Sequence, residues 1–471
     1  MKKYIALLLS LILGIITFIF FKNAIGFMVI LFFAVLIPFV YFKAKVDILD
    51  IGLAFIVIYS IYLMGIPLKV ALGFSETNPM FYLTNVNILV YKMVFYSGVC
   101  AIVPFIFGYE LPISKKAILG EKHEKNTEAS KFIIRFFSNA LIIFGAALFF
   151  YGIYKMGGID YLIHMYIWNA DNKLGLGLLT TGYQYFSVGI LIEFYIFLNS
   201  IKEKQQKLNI FKWKYLYIML FVVIVKFYQG NRLPVLMFMM SMFILYNYVY
   251  KKMKTRTILL FLLLGVVLLG YVGLFRTSKR LIPGSFSEIL NFVFVKSMNY
   301  ETYFNSYTVL TTLYISTVFK SRYLYGLTFL DGIIYFIPRF IFGGKEDLLF
   351  TTKWIKDYNS ITSVSPIGGL NLGAQNIMNG SVIFTIIIMF LLGIGLRYLN
   401  EIKSKSKYGI LLYVMSFPIV TISLVRNPNF LVFKEFVTFA LIPYLVIVLA
   451  QKDIMERVYK NIKSYFEKVI K

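Results

Sequence analysis

Apolar residues in this chain come in long runs, and polar residues are largely confined to the segments between them. A helix needs about 20 predominantly apolar residues to cross the roughly 30 Å hydrocarbon core of a bilayer. Runs of that length predict helices at 4–21, 24–42, 48–66, 86–108, 132–154, 175–198, 214–229, 233–250 and 257–275, and again at 376–396, 408–425 and 430–450. The pattern predicts an all-α polytopic membrane protein of about 12 transmembrane helices, with both termini on one side. The first run follows Lys2 and Lys3 as a signal peptide would, yet no small-residue cleavage site precedes the second run at Ala24. It is therefore expected to be a retained first helix.

The spacing is interrupted once, by residues 276–375 between the ninth and tenth spans. The expected organisation is a single transmembrane domain over 1–471 with this loop inserted in it. Within the loop, 305–319 and 323–342 are apolar, but Asp331, Pro338 and Arg339 oppose a conventional second crossing. A charge near the bilayer centre costs at least about 2.5–3.5 kcal/mol. Two amphipathic or re-entrant helices resting on the bundle are expected instead, buried in protein where irregular backbone is tolerated; two crossings would leave the parity unchanged. No repeat of 20–50 residues is visible, and no matching pair of Gly/Pro-broken helices marks an inverted-repeat transporter.

Composition agrees with the pattern, since a mean hydropathy of +0.76 with 59% hydrophobic residues lies outside the range of soluble domains. The net charge of +26 would suit nucleic acid, but the lysines sit in short connections between apolar runs, where they orient a membrane protein. No nucleic-acid partner is expected. The segments 1–3, 43–47, 110–131, 199–214, 251–256, 397–407 and 452–471 hold 28 Lys and Arg in 83 residues. The alternate segments hold 6 in 50, so the first set is expected to be cytoplasmic and the 276–375 loop extracytoplasmic.

Much chemistry is excluded by what is missing. Cys100 is the only cysteine, and His123 and His164 are the only histidines. There is no HExxH, no Cys/His cluster and no Gly-rich phosphate loop, so neither zinc nor nucleotide chemistry is indicated. On the outer side stands a set of arginines. Arg232 lies in the tight turn Gln229-Gly230-Asn231-Arg232, Arg276 and Arg280 follow the ninth span, Arg339 follows Pro338, and Arg426 opens the turn Arg426-Asn427-Pro428-Asn429. The cytoplasmic segments, by contrast, are mostly lysine. Arg offers a planar fork to two phosphate oxygens at once, where Lys offers a point charge. These arginines either snorkel to lipid phosphates or form a pocket for a lipid-linked pyrophosphate.

His164, in the outer segment that begins at Gly157-Gly158, is the one outer group that exchanges a proton near neutrality without special tuning. It is either a hydrogen-bonding residue or a base. Asp331, Glu301 and Glu435 are alternatives for the base. Lys226 either snorkels outward or helps Arg232 bind an anion. The loop also holds Tyr300, Tyr303, Tyr307, Tyr314, Tyr323, Tyr325, Trp354 and Tyr358, then a polar run from Asn359 to Asn379 that includes Asn371, Gln375 and Asn376. Rings offer flat faces to the C–H side of a sugar, and amides address its hydroxyls; the rings equally suit the headgroup level of a membrane.

This arrangement resembles the Wzy-type polysaccharide polymerases, also called O-antigen or oligosaccharide repeat-unit polymerases. The resemblance is strongest over 213–400. It rests on the Gly230-Asn231-Arg232 turn, the Phe275-Arg276 exit, Tyr325-Gly326-Leu327-Thr328 leading to Ile337-Pro338-Arg339, and Ser365-Pro366-Ile367-Gly368-Gly369-Leu370-Asn371 ending at Asn379-Gly380. Family members often carry an acidic residue where this chain has Gly369 and Asn371. The resemblance implies a membrane fold similar to that of C-type glycosyltransferases, with no metal or other cofactor. It implies an undecaprenyl-pyrophosphate-linked glycan donor and a similarly linked acceptor at the outer face of the bacterial cytoplasmic membrane, beside a flippase and a chain-length regulator. Arg232, Arg276, Arg280, Arg339 and Arg426 would then bind pyrophosphate and His164 would act as base. The rival readings are an O-antigen ligase, a lipid-linked oligosaccharide flippase, and a membrane scaffold.

Overall fold

In the computed structural model of the chain, the residues described are 24–71, 86–113, 128–158, 161, 173–228, 232–278, 298–318, 322–337, 345–359 and 370–451. Among them there are helices and no strands. In chain order these are α1 (Ala24–Val46), α2 (Ile51–Leu63), α3 (Gly65–Ala71) and α4 (Val86–Met93, continued through a π turn at Val94–Val99 by Cys100–Glu110). Next come α5 (Glu128–Met156), α6 (Lys173–Glu203), α7 (Leu216–Tyr228), α8 (Arg232–Leu245, extended by a π turn Tyr246–Tyr250) and α9 (Thr255–Ser278). The segment after them gives α10 (Met298–Val318), α11 (Leu327–Phe336), α12 (Lys345–Leu348) and α13 (Phe350–Asn359). The chain continues with α14 (Leu372–Lys405), α15 (Gly409–Pro418, continued by Ile419–Ser423 and Leu424–Arg426) and α16 (Asn429–Phe436, continued by Val437–Leu441 and Ile442–Ala450).

Eight of these helices are long and apolar enough to cross a membrane. Outward apolar surface is not confined to those eight helices. Leu259, Leu260, Phe261, Leu262, Leu263 and Leu264 are each 46–54% exposed in succession along α9. Such a continuous apolar surface is unstable against water and stable against lipid. The chain is a multi-pass membrane protein. The apolar runs predicted from the sequence fall on helices except 4–21, which lies outside the described residues; 48–66 is divided between α2 and α3, and Ile51–Leu63, Leu216–Lys226 and Thr255–Gly265 are apolar stretches shorter than a full span.

The chain forms two compact units. Unit 1 comprises Met1–Lys115, Phe294–Asn400 and Ile419–Glu435, and unit 2 comprises Lys116–Val293, Glu401–Pro418 and Phe436–Lys471. Within unit 1, Asp50 caps α2 by accepting from the Leu53 N–H at 2.9 Å. Its carboxylate also accepts from Tyr109 Oη at 2.6 Å and from Asn400 Nδ2 at 3.0 Å. One buried acid thus ties α2, α4 and α14 together, with its charge shared over three donors.

The 305–319 stretch falls in α10, which packs against α2, α3 and α4 inside unit 1. Its hydroxyls explain how so polar a helix can be enclosed. Thr311 and Thr312 bond the carbonyls one turn back at 3.0 and 2.7 Å, and Ser306 bonds the Leu63 carbonyl at 2.9 Å. A hydroxyl that finds a carbonyl within or beside its own helix no longer opposes burial.

Unit 2 is built on the antiparallel pair α5 and α6. Ser138, Gly145 and Gly152 on α5, and Gly175, Gly182 and Gly189 on α6, each recur at seven-residue intervals. A Cβ at Gly182 would collide with the backbone of Phe149 and Gly145, one at Gly145 with that of Phe186, and one at Gly152 would lie 2.7 Å from the Leu179 nitrogen. Small residues on a seven-residue repeat keep one face turned to its partner and let the backbones touch.

Candidate functional site

The start of α14 carries a stripe of buried amides. Asn371 caps the helix, accepting from the Ala374 N–H at 2.9 Å, and donates to the Asn305 carbonyl of α10 at 2.7 Å. Two turns on, Asn379 donates to Thr328 Oγ1 at 2.6 Å and accepts from the Gly326 N–H at 3.0 Å, which fixes the start of α11. The helix breaks directly afterwards. Ser381 adopts φ 57° and ψ −126°, a left-handed backbone unusual for a residue with a side chain.

Between these two anchored residues stand Gln375 and Asn376, both with 0% exposure. Gln375 Oε1 accepts the Asn429 N–H at 2.7 Å, but Gln375 Nε2 has no partner. Asn376 Oδ1 and Nδ2 are both unpartnered, as are Asn429 Oδ1 and Nδ2, and Asn429 is 7% exposed. A buried polar atom left unpaired costs about 1–3 kcal/mol. Unit 1 therefore keeps five such atoms on three residues, which is an expensive arrangement unless a ligand or water uses them. They include three donors and two acceptors, all neutral. That mixture suits groups that both donate and accept, such as hydroxyls and acetamido groups, and suits neither a bare anion nor a cation.

The Asn429 contact also anchors the far end of the turn that Arg426 opens. The turn Arg426-Asn427-Pro428-Asn429 is held by the Asn427 N–H on the Ser423 carbonyl at 2.7 Å and by Asn427 Nδ2 on Ser423 Oγ at 3.2 Å. Ser423 Oγ in turn donates to Glu435 at 2.8 Å. Glu435 is thus engaged in shaping this turn. Asp331, another acid that the sequence offers as a base, is buried and accepts from the Phe350 and Thr351 N–H groups at 2.8 and 2.9 Å. It caps α13, and α13 presents Trp354 and Tyr358 with ring centres 4.9 Å apart.

Of the predicted arginines, Arg232 opens α8 and Arg276 lies in the last turn of α9, both in unit 2. Arg426 ends α15 in unit 1 and is half-buried. Arg280, Arg339 and His164 lie outside the described residues. Lys226 is not the outward-snorkelling residue that the sequence allowed, for it is 1% exposed. Unit 1 also holds an apolar groove of about 790 Å³, lined by Phe33, Ile37, Tyr41, Ile61, Met64 and Leu68 among others, with Thr302 on its wall. Lys356 of α13 donates to Asp347 of α12 at 2.6 Å, and this bond holds the exposed Asp347 carboxyl below its usual range.

Gln375 and Asn376 stand in the polar run legible in the sequence, but the pairing of Gln375 with Asn429, 54 residues apart, is not. The seven-residue glycine spacing of α5 and α6, by contrast, is a signal the sequence carries. No protein-family model, curated protein or solved structure matches the chain.

Proposed function

We propose that this chain is a metal-independent membrane glycosyltransferase that polymerises undecaprenyl-pyrophosphate-linked oligosaccharide repeat units at the outer face of the bacterial cytoplasmic membrane. In this reading the chain crosses the bilayer about 12 times, both termini are cytoplasmic, and 276–375 lies outside the cytoplasm. The observation that carries it is the Arg426–Asn429 turn held against the amide stripe of α14 by the Asn429 to Gln375 bond. A cation able to fork onto phosphate is thereby positioned in the same unit as unpaired neutral amides suited to a glycan. The apolar groove of unit 1 supports the reading as a place for a polyprenyl chain, because Ile37 and Tyr41 in its wall are each 61% exposed.

The chemistry follows from the substrates. A hydroxyl at the non-reducing end of the acceptor attacks the anomeric carbon of the donor glycan, and the bond from that carbon to the pyrophosphate oxygen breaks. Pyrophosphate leaves with the electron pair and stays on its lipid, while the hydroxyl proton passes to a base, assigned to His164. Arg232, Arg276, Arg280, Arg339 and Arg426 stabilise the charge that builds on the leaving pyrophosphate.

The test is complementation of a deletion strain with Arg232→Ala, Arg339→Ala and Asn376→Leu, each checked for membrane insertion. The expected result is loss of long polymer with accumulation of single lipid-linked repeat units. Unattached long chains in the deletion strain would instead indicate a ligase, and repeat units trapped on the cytoplasmic side a flippase. Normal polymer in all three variants would overturn the assignment.

A further inference from the structure

Lys226 stands in the last turn of α7, enclosed in unit 2 with 1% of its surface exposed. Its Nζ lies 5.7 Å from the centre of the Phe149 ring and 5.4 Å from that of Tyr183. The glycine contacts of α5 and α6 bring those two rings together, since the Phe149 nitrogen is what a Cβ on Gly182 would strike. Among the described residues no carboxylate pairs with Lys226. Glu193, on the same helix as Tyr183, is engaged by Ser138 Oγ at 2.5 Å, and ten residues of helix put it about 15 Å along from Tyr183.

Ring faces attract a cation but replace only part of the hydration that an ammonium loses on burial. An ionisable residue enclosed within a membrane protein marks a function, and the question is what anion meets it. Tyr183 points to where. Its Oη donates to the Pro234 carbonyl at 3.2 Å, so the ring beside Lys226 is fixed to the first turn of α8. That 14-residue helix opens at Arg232, and the N–H groups of its first turn, Pro234 having none, have no partner within the helix and favour negative charge.

We propose that Lys226 is the buried cation of an anion site at the start of α8, and that this site takes the phosphate of a lipid-borne ligand. The inference rests on the reading of Arg232 as a pyrophosphate ligand and adds a second residue to it. Lys226 meets the phosphate from within unit 2, and Phe149 and Tyr183 keep water from competing.

The test uses the purified full-length chain in nanodiscs of neutral phosphatidylcholine, with Lys226→Met, Lys226→Arg and Arg232→Ala beside the wild type. Thermal unfolding and binding titration are read with undecaprenyl pyrophosphate, and separately with phosphatidylglycerol added to the disc. The expected result is that undecaprenyl pyrophosphate stabilises the wild type. Lys226→Met, which is apolar and of similar length, should unfold at a higher temperature without ligand and bind at least tenfold more weakly. Lys226→Arg should keep a measurable ligand shift. An unfolding temperature below wild type in Lys226→Met with affinity within twofold of wild type would overturn the site and make the lysine structural, as would a wild type that neither lipid stabilises. Stabilisation by phosphatidylglycerol alone, lost in Lys226→Met, would keep the Lys226 site, assign it to a phospholipid headgroup, and remove it from the donor reading.

Discussion

The Asn429 backbone N–H donates to Gln375 Oε1 at 2.7 Å, while the side-chain amide of Asn429, the Gln375 nitrogen and the amide of the next residue, Asn376, find no partner. One buried bond thus joins the turn that carries Arg426 to a set of atoms held ready for hydrogen bonding.

Asn376 and Asn379 stand three residues apart and should respond in opposite ways. Asn376→Leu removes two unpaired buried atoms, so stability should hold or rise by about 1–2 kcal/mol while polymer is lost. Asn379→Leu breaks bonds to Thr328, Gly326 and the Gln375 carbonyl and should lower stability by about 2–4 kcal/mol. Thermal unfolding in detergent, beside glycan gels from cells, separates the two.

The α5–α6 pair has its own internal control. Gly182→Leu forces a side chain into the Phe149 and Gly145 backbone and should cost about 3 kcal/mol or more. Gly177, on the same helix, has open space around its Cβ position, so Gly177→Ala should gain about 0.5–1 kcal/mol from helix propensity. Unfolding temperatures of the two variants should fall on opposite sides of wild type.

Helix positions were legible in this chain because lipid imposes one rule, a long apolar run, that needs no knowledge of neighbours. Glu128–Met156 encloses the predicted 132–154, and Asn429–Ala450 encloses 430–450. The rule fails for α10, where serines and threonines dilute the apolar signal yet bond to nearby carbonyls and let the helix sink into unit 1. The site was legible only as residue types. That Gln375 meets Asn429, or that Lys226 is enclosed by two rings, depends on tertiary packing that leaves no local trace.

Ser138 serves two purposes, as the small residue that begins the seven-residue repeat on α5 and as the donor to buried Glu193 at 2.5 Å. Ser138→Ala keeps the size but removes the donor, and should cost about 1–3 kcal/mol. Adding Glu193→Leu should recover most of that loss, giving a favourable coupling of at least about 1 kcal/mol in a double-mutant cycle. Additive losses would mean that the contact carries no energy.

Asp331 supports α13 through two backbone N–H groups. Asp331→Ala should lower stability by about 1–2 kcal/mol, the usual cost of losing a helix cap. Limited proteolysis should then cut first within 345–359. A variant that keeps its proteolytic pattern but loses only polymer would return Asp331 to the catalytic candidates.

The most direct measurement is reconstitution. The purified chain is placed in liposomes with undecaprenyl-pyrophosphate-linked repeat units and excess chelator, and the glycans are resolved on a gel. A ladder spaced by one repeat unit should form without added metal or nucleotide and be lost in the Arg232→Ala and Asn376→Leu proteins. Repeat units recovered unextended by the wild type, while a control polymerase extends the same substrate, would contradict the polymerase reading.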